Sequence, residues 1–371
     1  MKKILILTTS TGQGHNQAAN SVSQSFEAAG YVTIKHDFLS KSSKLLNDLI
    51  VIGYEILASR FPKLYGWFYN FTDKSITNKL LRIIFFFTKI KISKLIYNVK
   101  PDIIVATHSL SVNIVTSLKK QGLNIPYIMI VTDFKAHYTY INPYVDAYIT
   151  GSSYTKQSLI DKNIESNKIF PIGIPIKKVF YSSNNSIKKL KDTEYFNLLL
   201  MSGSLGLDTI SFVLKELLKN SHKLRITVVC GKNKHLEESL IEYCATNKYE
   251  NKKLHILGFT TDIPYLMDYC DVIISKPGGL TVTEAIVKNI PLIIPFAIPG
   301  QEMENIDFLV NEGYSIYIDN LGKINDAIDN LILNPSILYE IKNKLKQLSS
   351  TYDPDKIVTI SEGLIKNKYD I

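Results

Sequence analysis

Four short segments of this chain set small residues beside groups that can take a proton or hold an anion. Gly12-Gln13-Gly14-His15 places a histidine directly after two glycines. Glycine lets a backbone come close to a ligand, and an imidazole suits general-base work near neutral pH. Met201-Ser202-Gly203-Ser204-Leu205-Gly206 is a second turn of small residues. Its backbone N–H groups at Gly203, with the Ser204 hydroxyl, suit a diphosphate. Ser275-Lys276-Pro277-Gly278-Gly279-Leu280-Thr281-Val282-Thr283-Glu284 is the most informative of the four. Free N–H groups at the start of a helix there, around Gly279, Leu280, Thr281 and Val282, would face a departing diphosphate. Glu284 is expected in that helix's first turn, where it would accept hydrogen bonds from ribose hydroxyls. Pro299-Gly300-Gln301-Glu302-Met303-Glu304-Asn305 offers amides and carboxylates at Gln301, Glu302 and Asn305 that match sugar hydroxyls.

Each segment needs an element to present it, and the hydrophobic pattern supplies one. Apolar runs at 3–9, 31–38, 102–107, 127–132 and 147–151 read as strands, with helical patterns at 16–29, 112–121 and 154–162 between them. Further runs at 197–201, 225–230, 254–257, 272–275, 292–295 and 315–318 repeat the style. Strands alternating with helices imply βαβ units and a mainly parallel sheet. All four segments then fall at the carboxyl ends of strands, where doubly wound sheets bind ligands. Asp133 also follows a strand, and either orients His15 or serves as the base itself. The polar run Ser182-Ser183-Asn184-Asn185-Ser186 reads as a linker. Two domains are expected, 1–181 and 187–350, with a helix over 351–371 packing back on the first. A length of 371 residues agrees with two domains.

One stretch exceeds the pattern. The chain between Phe38 and Pro101 is far longer than one crossover helix needs. From Arg60 to Lys100 it carries nine basic residues against the single acid Asp73, a local charge of +8 in a chain whose net charge is +9. Lys63, Lys74, Lys79 and Arg82 stand there among Trp67, Phe68, Tyr69 and seven further aromatics. Cationic and aromatic residues together suit an anionic membrane surface. Leu80, Leu81, Ile84, Phe87 and Lys91 share one stripe at helical spacing. The apolar start Ile4–Leu7 is too short for a signal peptide, and no run of about 18 apolar residues predicts a membrane span. Cys230, Cys244 and Cys270 form no CxxC pair and suggest neither a disulfide framework nor a zinc site.

These motifs, in this order, resemble the glycosyltransferase family of monogalactosyldiacylglycerol synthases and bacterial processive diacylglycerol glucosyltransferases. A more distant likeness is to the lipid II GlcNAc transferase of peptidoglycan synthesis. The resemblance runs through Gly12–His15, Pro101–His108, Val131–Asp133, Pro143–Asp146, Gly173–Lys177 and Gly258–Asn305. It implies an α/β chain of the GT-B class, two Rossmann-like doubly wound domains facing across a cleft. It also implies an inverting transfer from a UDP-sugar with no bound metal and no cofactor besides the donor substrate. By position, His15 matches the glycine-loop histidine near the reacting centre, Glu284 the ribose-binding glutamate, and Phe259 the segment against uracil. Gln301, Glu302 and Asn305 match the donor-sugar loop. Lys177 stands where many members carry arginine near the diphosphate, keeping the charge and losing the bidentate fork.

The expected activity is hexose transfer, from UDP-glucose or UDP-galactose, to diacylglycerol. The protein would work in the cytoplasm, peripheral on the inner face of the cell membrane. A lipid II-type UDP-GlcNAc transferase is the nearest alternative, although a different sugar loop than PGQEMEN would be expected of it. A UDP-sugar epimerase has no use for an aromatic, cationic insertion. A silent nucleotide-sugar sensor does not need His15, Glu284 and Gln301 together. No nucleic-acid-binding module is recognisable.

Overall fold

Strand β1 (Lys3–Thr8) is buried from Ile4 onward on both of its faces, which requires a sheet covered on both sides. The structure, a computed structural model, describes residues 1–10, 13–41, 48, 52–53, 56–57, 60–74, 86–182, 193–201, 207–246 and 249–369. Gly12, Lys79, Arg82, Gly203, Ser204, residues 183–186 of the expected linker, and Leu80, Leu81 and Ile84 of the predicted stripe lie outside the described residues. The chain forms two compact units. One comprises Met1–Lys177, Ile298–Asn305 and Thr351–Ile371; the other comprises Lys178–Ala297 and Ile306–Ser350.

In the first unit β1 leads through α1 (Gln13–Ala28) to β2 (Val32–Asp37). Helices α2 (Pro62–Thr72) and α3 (Phe86–Val99) precede β3 (Ile103–Ala106). Then come α4 (Leu110–Lys119), β4 (Tyr127–Ile130), β5 (Ala147–Ile149), α5 (Ser153–Ile160) and the two-residue β6 (Ile169–Phe170). The sheet order is β2-β1-β3-β4-β5-β6, and every pairing is parallel. Strand alternation divides the core. Leu5 and Leu7 join Ile92, Ile96, Val112 and Val115 on the face covered by α3 and α4. Ile4 and Ile6 join Val22, Phe26, Ile357 and Ile365 on the other.

The second unit contains β7 (Phe196–Met201), α6 (Leu207–Leu218), β8 (Leu224–Val229), α7 (Lys234–Ala245), β9 (Lys252–Leu257) and α8 (Ile263–Tyr269). It continues with β10 (Val272–Ile274), α9 (Gly279–Lys288), β11 (Leu292–Ile294), α10 (Gln301–Asn311), β12 (Ser315–Tyr317), α11 (Ile324–Leu333) and α12 (Pro335–Ser349). Residues 301–305 of α10 belong to the first unit. The strand order is β12-β11-β10-β7-β8-β9, again parallel.

The last helix, α13 (Lys356–Tyr369), packs in the first unit. Ile357 and Ile365 enter its core. Asp355 accepts from the Ser25 hydroxyl at 2.7 Å, and Glu362 from Tyr31 at 2.6 Å. The alternating strands and helices expected from the pattern are present; β6, two residues long, is too short for any periodicity to reveal.

Candidate active site

His15 lies in the first turn of α1, beyond the carboxyl end of β1. Its Nδ1 is 2.7 Å from the Thr107 carbonyl oxygen. A carbonyl only accepts, so Nδ1 carries the proton and Nε2 keeps a lone pair. Thr107 answers by donating its hydroxyl to the His15 carbonyl at 3.1 Å. The His108 ring packs 4.4 Å from that of His15, and His108 Nδ1 accepts the Leu110 N–H at 3.1 Å. Burial lowers the His15 pKa to about 4, against the raising effect of the Thr107 bond. Burial and the neighbouring His15 hold His108 well below the ordinary histidine value. Both rings are therefore neutral at neutral pH.

Asp133 follows β4 and is half-buried. Burial is the main influence on its carboxyl and pushes the pKa up to about 7. The Tyr140 hydroxyl, donating to Oδ2 at 3.0 Å, opposes this, as does a hydrogen bond with Asn305; the charges of Glu304 and Glu302 reinforce it. Burial disfavours the charged carboxylate and so does each nearby like charge. The result is a carboxyl that titrates where a general base works best.

Two of the residues expected to bind the donor sugar lie beside this carboxyl, deeply buried. The Asn305 side-chain oxygen accepts the Phe134 N–H at 2.9 Å, and Glu302 accepts the Ile298 N–H at 2.9 Å. Asn305 thus braces the segment that follows Asp133 and Glu302 braces its own loop at Ile298, whereas Gln301 is half-exposed. Glu304, which sequence reasoning passed over, accepts from the Tyr69 hydroxyl at 2.8 Å and pairs with Lys135 at 3.1 Å.

Tyr69 belongs to α2, which grips the same loop. A Cβ on Gly66 would come within 2.7 Å of Pro299 Cβ, so only glycine allows this approach. Gly300 has φ +100°, with the Tyr69 ring against it, and a side chain there would be strained. His137 Nε2 donates to the Tyr69 carbonyl at 3.1 Å. Asp73, just past the helix, accepts from the Tyr138 N–H at 2.7 Å and from Lys162 at 3.1 Å. On the opposite face of α2 the large side chains point outward. Phe61, Leu64, Trp67, Phe68 and Phe71 are exposed, Trp67 by 63%. Trp67 and Phe71 stack at 5.4 Å. Lys63 and Lys74 are exposed as well. Trp67 and Phe68 therefore share an outward face, while Tyr69 points inward.

In the second unit α9 opens at Gly279, with Gly278 extended before it. A Cβ on Gly278 would meet nothing within 4 Å. Helix geometry leaves the first N–H groups without intrahelical partners, and Gly279, Leu280 and Thr281 are half-exposed. The N–H of Val282 is committed to the Gly278 carbonyl at 2.9 Å, so the open set ends at Thr281. Glu284 is not in the first turn, as the sequence suggested; the helix already starts at Gly279, and Glu284 is buried in its second turn. The far end of α9 is anchored by a buried Lys288–Asp268 pair at 2.9 Å, with Lys288 also donating to the Ser182 carbonyl at 2.8 Å. Phe259 is 65% exposed, with Lys232 Nζ 5.9 Å from its ring centroid. Lys177, at the end of the first unit, is exposed. Among the described residues no cluster of His, Cys, Asp and Glu is arranged to hold a metal ion.

The first unit thus brings together His15, Asp133, Glu302 and Asn305, and adds Thr132, Tyr140 and Glu304. Tyr140 sits in a short 3-10 turn, Tyr138–Tyr140, whose geometry no periodicity announces. Glu304 was legible as the second carboxylate of PGQEMEN.

Comparison with known proteins completes the picture. The family profile for monogalactosyldiacylglycerol (MGDG) synthase matches residues 15–176, and that for the glycosyltransferase family 28 C-terminal domain matches residues 197–353. The chain is 30% identical over 367 residues to a processive diacylglycerol beta-glucosyltransferase of Bacillus licheniformis, covering 96% of this chain and 94% of the relative. MurG of Acinetobacter baumannii has the same fold, with a TM-score of 0.64 at 15% identity and full coverage of both chains. HepE of Anabaena, solved in complex with UDP, has a TM-score of 0.59 at 15% identity, again with full coverage of both. At these identities the two structures speak for the fold alone, which is GT-B.

Proposed function

Because the chain belongs to the family of processive diacylglycerol beta-glucosyltransferases, we propose that this UDP-sugar glycosyltransferase moves a hexose from UDP-glucose to diacylglycerol, with inversion, at an anionic membrane surface. The observation that carries the lipid half is α2. Its outer face carries exposed aromatic side chains, while its inner face holds the loop beside Asp133. A lipid with two acyl chains barely leaves the bilayer, and among the described residues no helix is long and apolar enough to cross one. An enzyme acting on such a lipid then meets it at the interface. Lysines near an anionic surface contribute about 1 kcal/mol each, and the apolar face adds burial among headgroups. On this reading the protein is peripheral, on the cytoplasmic face.

His15 meets the acceptor hydroxyl. Its tautomer, set by the Thr107 carbonyl, leaves Nε2 free to take the hydroxyl proton as the oxygen attacks the anomeric carbon. The departing diphosphate is stabilised by the N–H groups of Gly279, Leu280 and Thr281 and the dipole of α9, with Lys177 as a further positive charge. Glu284 receives the ribose hydroxyls and Phe259 lies against uracil. Gln301 faces the sugar, with Glu302 and Asn305 fixing the loop from which it acts.

The test is a mass-spectrometric screen of UDP-glucose, UDP-galactose and UDP-GlcNAc against diacylglycerol in anionic vesicles. Hexosyl-diacylglycerol from UDP-glucose is the expected product. Product from UDP-GlcNAc alone, or none from any donor, would overturn the assignment.

A further inference from the structure

His108 lies beside His15, and the transfer as derived above gives it no task. Both rings are half-buried, with centres 4.4 Å apart and planes tilted by 56°. Consecutive residues past the end of β3 set their protons. The Thr107 carbonyl takes the Nδ1 proton of His15 at 2.7 Å, a much shorter contact than the 3.5 Å to the Thr132 hydroxyl. His15 Nε2 is therefore a hydrogen-bond acceptor. His108 is set the opposite way. Its Nδ1 accepts the Leu110 N–H at 3.1 Å and so carries no proton. A neutral imidazole has one N–H, and burial with the neighbouring His15 keeps His108 neutral. Its proton sits on Nε2, which is a hydrogen-bond donor. The His108 carbonyl accepts the Ser111 hydroxyl at 2.6 Å and the Ser111 N–H at 3.1 Å, which holds the residue in place. Among the described residues neither Nε2 has a hydrogen-bond partner.

We propose that His108 is a second catalytic residue, whose Nε2–H binds the acceptor oxygen while the O–H of that same hydroxyl points at His15 Nε2. This rests on the proposed glycosyl transfer. A hydroxyl both donates and accepts and reaches about 3 Å to each partner, so rings this close can share one. A donor beside an acceptor holds the hydroxyl in one orientation. Its proton then faces the base, and a second lone pair stays free for the anomeric carbon. Two rings of the same tautomer would not impose this. In the transfer the acceptor O–H bond breaks and its proton joins His15 Nε2. The oxygen bonds to the anomeric carbon, whose bond to UDP breaks with the electron pair leaving on the diphosphate. His108 keeps its proton throughout, and its N–H stabilises the negative charge that grows on the attacking oxygen. His15 then releases the same Nε2 proton to water. Its Nδ1–H stays on the Thr107 carbonyl from start to finish, so both rings end in the tautomers in which they began.

His108 also caps α4. Ser109, just ahead of that helix, makes no side-chain cap bond, and the Leu110 N–H goes to His108 instead. Two substitutions separate the cap from the catalytic role. His108→Asn keeps a side-chain oxygen for the Leu110 N–H but is too short to reach the acceptor. Its melting curve should match the parent's, and its UDP affinity should be unchanged. Its kcat with UDP-glucose and diacylglycerol vesicles should fall by about 10²-fold, as when one hydrogen bond to a developing oxyanion is lost. His108→Gln, whose amide nitrogen falls near the place of Nε2, should recover part of that rate. In a His15→Ala background His108→Asn should cost little more, because both groups serve one hydroxyl and such losses do not add. Parental kcat in His108→Asn, or a loss that multiplies in full with that of His15→Ala, overturns the proposal. Nitrogen-15 NMR of the imidazoles reads the tautomers without any turnover. His15 protonated on Nδ1 and His108 on Nε2 is the expected result; His108 protonated on Nδ1 overturns the pairing. A wild type that shows those tautomers and makes no glycolipid refutes instead the functional reading on which the proposal rests.

Discussion

The raised pKa of the Asp133 carboxyl has a consequence for stability. An unfolded aspartate titrates near 3.9, whereas this one is held at about 7. Between those values the folded state holds the proton more tightly than the unfolded state. Raising pH through that window therefore removes stability, and the full cost remains above about 7. Asp133→Asn should raise the melting temperature at pH 8 and leave it nearly unchanged at pH 4, while turnover at pH 8 collapses. A gain of equal size at both pH values would show that the carboxyl is not held in this way. His15→Ala should lower turnover by about 10²–10⁴-fold with UDP affinity intact; turnover close to that of the parent would return the proton acceptor's role to Asp133 alone. In the second unit, Glu284→Ala should weaken UDP binding by about 1–3 kcal/mol, the cost of leaving polar groups unpaired. Calorimetry with unchanged UDP affinity would remove Glu284 from the donor site. His15 and Asp133 were legible because each follows a strand and each is of a type that moves protons. Tyr140 was not, because its use depends on a three-residue turn. The turn that Glu284 occupies was misjudged because two consecutive glycines leave the start of α9 ambiguous.

Helix α2 works with both faces. Tyr65, Gly66 and Tyr69 look inward, and Phe61, Leu64, Trp67, Phe68 and Phe71 look out. This reverses the usual arrangement of a surface helix, whose apolar stripe faces the core. Trp67→Ser with Phe71→Ser should weaken sedimentation with anionic vesicles, while UDP binding is unchanged. Lys63→Glu with Lys74→Glu should do the same and should flatten the dependence on salt, which screens such charges within about 10 Å at 0.1 M. Equal sedimentation of parent and both variants, at low and high salt, would mean that this face serves another purpose. The concentration of charge and aromatics in this stretch was visible in the sequence. Which aromatics face out was not, because the inner face is chosen by a distant loop, Pro299–Gly300, through contacts at Gly66 and Tyr69. The central strands were readable, since buried parallel strands are apolar without interruption; the edge strand β2 is mixed in character, and a two-residue strand such as β6 leaves no such trace.

At the scale of the whole chain, a GT-B architecture carries a helix with exposed aromatic side chains in one unit, and the central proposal is that the transfer is a surface reaction. The direct measurement is the rate of glucosyl-diacylglycerol formation from UDP-glucose, with diacylglycerol held at fixed mole fraction in vesicles of increasing anionic lipid content. Turnover should rise with anionic fraction and fall with added salt, while UDP affinity measured without vesicles stays constant. A rate indifferent to both anionic lipid and salt, or equal turnover on a water-soluble short-chain acceptor without vesicles, would contradict it.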